Sequence, residues 1–301
     1  MASRTLISAF FALSVVCSTF SMIFAGERGS SAPFITGDTF RSFVDHVFDE
    51  TCLSFDPIKV GQGDVIFVKT DWEYLEEFFE NYHPKINCEY ILVTHNSDHS
   101  APGPFFNYLD DPKLLAWFGQ NVEGFSHPKL YPIPIGLANR CWSHGNPDLF
   151  KTMLPLSQKS QRSILCYLNF QPATYPTERG YVWDLFANQP WCQVDSFKEL
   201  SQYLLDLTKA KFVISPRGNG LDCHRTWEAL LMGAIPVVRR SSLDSMYEDL
   251  PVLIVEDWTV ITEDYLNEQY QLLKSKKNCP EKLFINYWIT QIRTKAVVCR
   301  N

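Results

Sequence analysis

Residues 211–238 read KFVISPRGNGLDCHRTWEALLMGAIPVV. The apolar run 211–214 feeds a turn punctuated by Gly218 and Gly220, a helical stretch 223–232 follows, and 235–238 is a second apolar run. Strand, turn, helix and strand in this order form the repeating unit of a parallel sheet, and runs this continuously apolar belong to strands covered on both faces. Behind the turn, free backbone N–H groups and the positive end of the helix dipole favour an anion, and glycine lets the backbone approach it closely. Asp222 stands where an N-cap would be, and the helix carries His224, Arg225 and Glu228. Arg217 and Arg225 can add forked bonds to phosphate oxygens. Glu228 would repel phosphate but can accept bonds from two neighbouring hydroxyls, so a diphosphate followed by a ribose matches the constellation. The plainer alternative is an Arg225–Glu228 ion pair at i,i+3 on a solvated helix.

Two familiar phosphate loops are excluded. The sequence has no GxxxxGK[ST], and GNG lacks the third glycine of GxGxxG. The turn also follows the third strand of its block, whereas dinucleotide fingerprints follow the first.

Outward from this stretch the same alternation continues. The second block runs through strand 163–168, helix 177–187, strand 192–194 and helix 197–209 before the motif, then a short helix 243–250 and strand 252–255. An earlier block has strands 64–70, 89–94, 113–118 and 130–135 with a helix at 72–82. Two doubly wound α/β domains follow, 26–155 and 156–279, joined in the Pro-, Ser-, Lys- and Gln-bearing stretch 146–161. Residues 280–301 read as an amphipathic C-terminal helix with Leu283, Phe284, Tyr287, Trp288 and Ile292 on one side.

With the pattern in place, 215–238 resembles the C-terminal nucleotide-sugar motif of exostosin-like glycosyltransferases (glycosyltransferase family 47 and relatives). That motif runs roughly P-x-G, a short gap, R-x-x-E-A, then G-x-I-P-V, matched here by Pro216, Gly218, Arg225, Glu228, Ala229, Gly233, Ile235, Pro236 and Val237. The resemblance covers about a tenth of the chain. It implies the GT-B fold, two Rossmann-like domains facing across a cleft, with Arg225 on the donor diphosphate and Glu228 on the ribose. Around them Arg217, Gly218, Asn219, Gly220, His224 and, from the first helix of the block, Arg179 are the candidate donor-binding residues.

In open α/β sheets ligands sit beyond the carboxyl ends of the strands. In the first block this directs attention to 94–103, THNSDHSAPG, where His95, Asp98 or His99 could take a proton from an acceptor hydroxyl. A polar loop satisfying its own backbone is the equal alternative.

The chain of 301 residues is 46% hydrophobic with a net charge of −7, which gives it a large core and argues against a general nucleic-acid binder. Residues 6–25 form an uncharged apolar run of bilayer-spanning length, read equally as a cleaved signal peptide or a single-pass membrane anchor, and this directs the chain to the secretory pathway or a Golgi-type lumen. Of nine cysteines Cys17 lies in that run, and the other eight permit disulfides or serve as buried thiols. No Cys/His cluster has zinc spacing. No cofactor is required by the sequence; some relatives use Mn²⁺, and the metal question stays open.

The resulting expectation is transfer of a sugar from a nucleotide diphosphate donor, a UDP-sugar, to a glycan or glycoprotein hydroxyl. The alternatives are a nucleotide-sugar or glycan-binding protein without catalysis and a hydrolysing nucleotide-sugar epimerase, the latter disfavoured by the apolar N-terminus.

Overall fold

The structure, a computed structural model, describes residues 28–275 and 278–298. The apolar run 6–25, Cys17 and Cys299 lie outside them. The strands are β1 (His46–Phe48), β2 (Asp64–Lys69), β3 (Tyr90–His95), β4 (Leu114–Gly119), β5 (Leu130–Pro132), β6 (Ile164–Leu168), β7 (Cys192–Val194), β8 (Ala210–Ile214), β9 (Ile235–Arg239) and β10 (Leu253–Val255). The α-helices are α1 (Gly37–Ser42), α2 (Trp72–Glu77), α3 (Pro147–Lys159), α4 (Pro176–Phe186), α5 (Leu200–Lys209), α6 (His224–Leu231), α7 (Glu263–Ser275) and α8 (Ile285–Val298).

The strands form two parallel five-stranded sheets, so the chain is an α/β protein of two Rossmann-like units, as expected. In the first, the order β1-β2-β3-β4-β5 follows the chain, with β2 and β3 paired in step from Asp64↔Tyr90 to Lys69↔His95. Tyr-Ile-Leu-Val-Thr-His of β3 is buried throughout, as a central strand with both faces covered requires. A straight order joined by right-handed crossovers places every connection on one face. The other face is covered from far away in sequence, by α1 and by α8, which pack on β3 and on each other. Ile285, Trp288 and Ile292 of α8 share one core with β2, β3 and β4, and Arg293 reaches Asp45 (2.6 Å) and the carbonyl of Phe43 (2.8 Å). The amphipathic stripe read near the C-terminus therefore completes the N-terminal unit.

In the second sheet the order is β7-β6-β8-β9-β10, so the direction in which successive strands are added across the sheet reverses between β6 and β8. Such a reversal splays the two following loops apart and opens a crevice beyond the strand ends. The motif turn leaves β8 at this point. Helix α6 then ends at Gly233, whose φ of 72° is the left-handed conformation glycine adopts freely; Gly233 N donates to Leu230 O (3.0 Å) and Ala234 N to Ala229 O (2.8 Å), closing the last turn.

Two expectations are corrected. The stretch 146–161 is not a linker: Asn146 caps α3 by accepting from Leu149 N (3.0 Å), and Phe150 and Met153, one turn apart, are buried with Leu204 and Leu207 of α5. Its Pro, Ser, Lys and Gln mask an amphipathic helix belonging to the second unit. The helix read at 243–250 shrinks to a 3-10 turn, Asp244–Tyr247, and α7 was not foreseen. The cysteines Cys52, Cys88, Cys141, Cys166, Cys192, Cys223 and Cys279 are free thiols in the structure.

Because Ile292 is fully buried between α8 and the first sheet, Ile292→Ala should destabilise the protein by about 2–5 kcal/mol, seen as a lowered melting temperature; an unchanged melt would refute the packing role given to α8.

A candidate donor-binding cleft

The motif turn is fixed to the first unit before it reaches any ligand. Asp222 N donates to Asn121 Oδ1 (2.9 Å), and Gly220 passes so close to Asn121 that a Cβ there would lie 2.5 Å from its Nδ2. Asp222 is not the N-cap expected of it: Cys223 occupies that position without a side-chain cap. Instead the buried Asp222 carboxylate accepts from Ile135 N (2.8 Å), Trp227 Nε1 (2.7 Å), Cys223 N (2.8 Å) and Tyr247 OH (3.3 Å). Burial pushes its pKa up to about 6 against these four donors. Next to it His224 Nδ1 bonds the carbonyl of Gly136 in the first unit (2.8 Å), which fixes Nδ1 as the protonated nitrogen. Burial lowers His224 to about 4, so its ring is neutral.

Between the units lies a cleft of ≈ 710 Å³, ample for a nucleotide sugar. Asp98 and Ile135 line it from the first unit, and Arg179, Gly218, Asn219, Gly220, His224, Arg225 and Glu228 from the second. Seven of the eight expected donor-binding residues thus share one cavity wall, brought there from α4, the β8–α6 turn and α6.

Two of them are arginines held only by neutral acceptors. Arg225 Nε donates to Asn169 O (2.9 Å), and its guanidinium lies 5.3 Å from the centre of the Phe170 ring. Arg179, also over Phe170 at 5.7 Å, donates to the carbonyls of Arg217 (2.8 Å) and Gln171 (3.2 Å). Burial and the nearby Arg225 charge both lower the Arg179 pKa. Among the described residues neither arginine makes a salt bridge, and Arg225 Nη1 is buried without a partner. Glu228 and Glu178 act on these cations only from beyond salt-bridge distance, and withdrawing cations from water with no carboxylate in direct contact is costly, so the pair suits an anion. Glu228 forms no ion pair with Arg225; its Oε2 accepts from Tyr203 OH (3.0 Å), and burial raises its pKa.

Arg217 departs from the expectation. It pairs with Glu123 of the first unit (2.8 Å), lies 4.9 Å from the Tyr175 ring centre and lines a separate cavity of ≈ 390 Å³. The β8–α6 turn sends its side chain to the opposite side from Arg225, and Arg179 stands beside Arg225 instead.

The three candidate bases are separated as well. His95 ends β3 and points inward: Nε2 donates to Pro134 O (3.1 Å), Nδ1 accepts from Asn96 N (2.7 Å), and the ring packs 5.4 Å from that of Phe40. Both nitrogens are occupied in the core, and burial lowers its pKa to about 4. His99 is exposed, tilted against the Trp72 ring at 4.9 Å and 3.9 Å from Asp71, and does not line the cleft. Asp98 alone reaches it, accepting from Asn219 Nδ2 (3.3 Å) across the cleft. Sequence reasoning missed Tyr203, Asn169, Phe170 and Phe197, which complete the cleft wall from α5 and from the loops after β6 and β7. The register of Tyr203 opposite Glu228 has no sequence signature. Among the described residues no group of three or more His, Cys, Asp and Glu is gathered as for a metal ion, and no helix is long and apolar enough to cross a membrane.

Comparison with known proteins agrees with the motif. Residues 182–296 match the family described as the RXYLT1 C-terminal domain. The match takes in most of the second unit, with the motif, and the helix that returns from it to the first. Among solved structures, the UDP-GlcNAc 2-epimerase of Methanocaldococcus jannaschii aligns with 12% identity and a TM-score of 0.34, covering 76% of each chain. TarM aligns with 12% identity and a TM-score of 0.34, covering 77% of this chain and 51% of TarM. A TarM variant from S. aureus in complex with Fondaparinux, α-GlcNAc-glycerol and UDP gives 11%, 0.32, 77% and 52%. The chain thus spans about half of TarM. A search of curated protein sequences finds no significant match.

The folded pKa of His95, about 4, lies below its ordinary 6.5. Its neutral ring therefore contributes stability that is complete above pH 6.5 and is lost as pH falls through 4. In His95→Gln the proton uptake on unfolding between these limits should drop by about one, measured from the pH dependence of unfolding free energy; an unaltered uptake would contradict the assignment.

Proposed function

We propose that the chain is a glycosyltransferase that moves a sugar from a nucleoside diphosphate donor, a UDP-sugar, to a hydroxyl of a glycan or glycoprotein. The observation that carries this reading is a pair of arginines, the buried Arg179 and the half-buried Arg225, with no carboxylate in direct contact, beside the N-terminus of α6 and facing a cleft between two α/β units. The donor diphosphate supplies the contacting counter-charge that these arginines lack, with the ribose hydroxyls at Glu228.

In the transfer, the bond from the anomeric carbon to the diphosphate oxygen breaks, and the acceptor oxygen forms the new bond to that carbon. Negative charge develops on the leaving diphosphate, where the guanidinium of Arg225, that of Arg179 and the helix dipole stabilise it; preorganised electrostatics of this kind is usually the largest single contribution to such catalysis. The acceptor proton goes to Asp98, the carboxylate at the cleft mouth. With two arginines carrying the charge, turnover should persist in EDTA. Residues 6–25, read as signal or anchor, suit delivery to a lumen where glycoprotein acceptors occur.

Loss of Arg225 removes charge-assisted bonds, so Arg225→Ala should weaken UDP binding about 10- to 100-fold. Asp98→Asn should retain UDP binding while slowing turnover about 10²- to 10⁴-fold, read as nucleoside diphosphate release from a panel of nucleotide sugars. Unchanged affinity in the first variant would remove the donor site from this cleft. Binding without release by the wild-type chain, with acceptor present, would mark a non-catalytic nucleotide-sugar binder instead.

A further inference from the structure

The cleft wall extends past the groups assigned above. From Arg225 to Glu228 is one turn along α6; Tyr203 OH, from α5, bonds Glu228 at 3.0 Å, and beyond it Leu200 and Phe197 continue the same wall. Phe197 lies in the loop between β7 and α5 and is 90% exposed, the most exposed large apolar side chain among the described residues and the single one of that set lining this cleft. An exposed ring by itself is ordinary.

What distinguishes Phe197 is how firmly its loop is held. Asn169 Nδ2 donates to the carbonyl of the preceding Ser196 (3.0 Å), while the Asn169 backbone carbonyl accepts from Arg225 Nε (2.9 Å). On the other side Lys198 Nζ bonds Asp195 (2.5 Å) and Asp206 (2.6 Å). One residue therefore sets the spacing between the diphosphate arginine and the loop that carries the ring, and an ion-paired lysine anchors that loop to α5. A solvent-exposed aromatic on a clamped loop is a platform whose face is free at little entropic cost.

We infer that Phe197 is the stacking surface for the nucleobase of the donor. The inference rests on the donor site proposed above: with the diphosphate at Arg225 and the ribose at Glu228, the base extends away from the phosphates, toward Tyr203, Leu200 and Phe197. The transferred sugar lies at the opposite end, toward His224 and Asp98. A π-face stacks on any base, so Phe197 contributes affinity for the nucleoside part of the donor and none for the diphosphate itself.

The experiment measures affinities of the full chain for UDP, ADP, GDP and inorganic diphosphate by calorimetry, in the wild type and in Phe197→Ala, Phe197→Trp and Arg225→Ala. Phe197→Ala should weaken the best-bound nucleoside diphosphate about five-fold or more and leave inorganic diphosphate unchanged; Phe197→Trp should keep nucleotide affinity, and Arg225→Ala should weaken both ligand types. Undiminished nucleotide affinity in Phe197→Ala, alongside loss in Arg225→Ala, would overturn the stacking role and leave the donor site standing. Equal weakening of nucleotide and inorganic diphosphate in Phe197→Ala would also overturn it, since the ring would then act through the loop. A wild-type chain that binds none of the four would overturn the donor site and the stacking role together.

Discussion

The carboxylate of Asp222 holds the two α/β units in register. Its four donors come from the first unit (Ile135 N), from α6 (Cys223 N and Trp227 Nε1) and from the turn behind β9 (Tyr247 OH). A buried carboxylate missing such partners would carry a large desolvation cost, so the geometry around it is tightly constrained. The Asp222 N–H completes the link by donating to Asn121 across the same junction, and Gly220 allows that approach. Everything in the cleft inherits its position from this junction: the start of α6, the tautomer of His224 through Gly136, and the direction in which Arg225 points.

Charge is distributed unevenly around that junction. Arg217, on the outer side, is neutralised by Glu123. Arg179 and Arg225, on the inner side, are held by carbonyl oxygens and by the face of Phe170, which orient a guanidinium without cancelling its charge. The result is a local concentration of positive charge in a chain whose net charge is −7. An acidic protein can in this way still present a locally positive surface to an anion, because attraction depends on the local field.

Much of the architecture was legible because parallel strands buried on both faces must be apolar. Lys-Phe-Val-Ile, Ile-Pro-Val-Val and Tyr-Ile-Leu-Val-Thr mark β8, β9 and β3 within a residue or two. Helix α3 escaped because its apolar stripe is narrow and diluted by Pro155, Ser157 and Lys159, and α8 was visible as a helix but not as the missing cover of the first sheet. In the candidate site Gly218, Asn219, Gly220, His224, Arg225 and Glu228 line one cleft, as neighbours on a single turn and helix face can. His95, Asp98 and His99 did not separate by spacing: the last residue of β3 keeps the strand's inward direction, and two residues of turn are enough to send its neighbours to the cleft or to solvent.

The sequence by itself determined the α/β class of the protein and the strand, glycine turn and helix on which the proposed anion site is built, because strand apolarity, glycine turns and helix termini act over a few residues. Only the tertiary structure decided which arginines lack a carboxylate in direct contact, that Tyr203 meets Glu228 across 25 positions, and that the C-terminal helix closes the N-terminal unit. Those outcomes depend on which side chains meet across the junction, and burial and pairing there are set by contacts between distant segments.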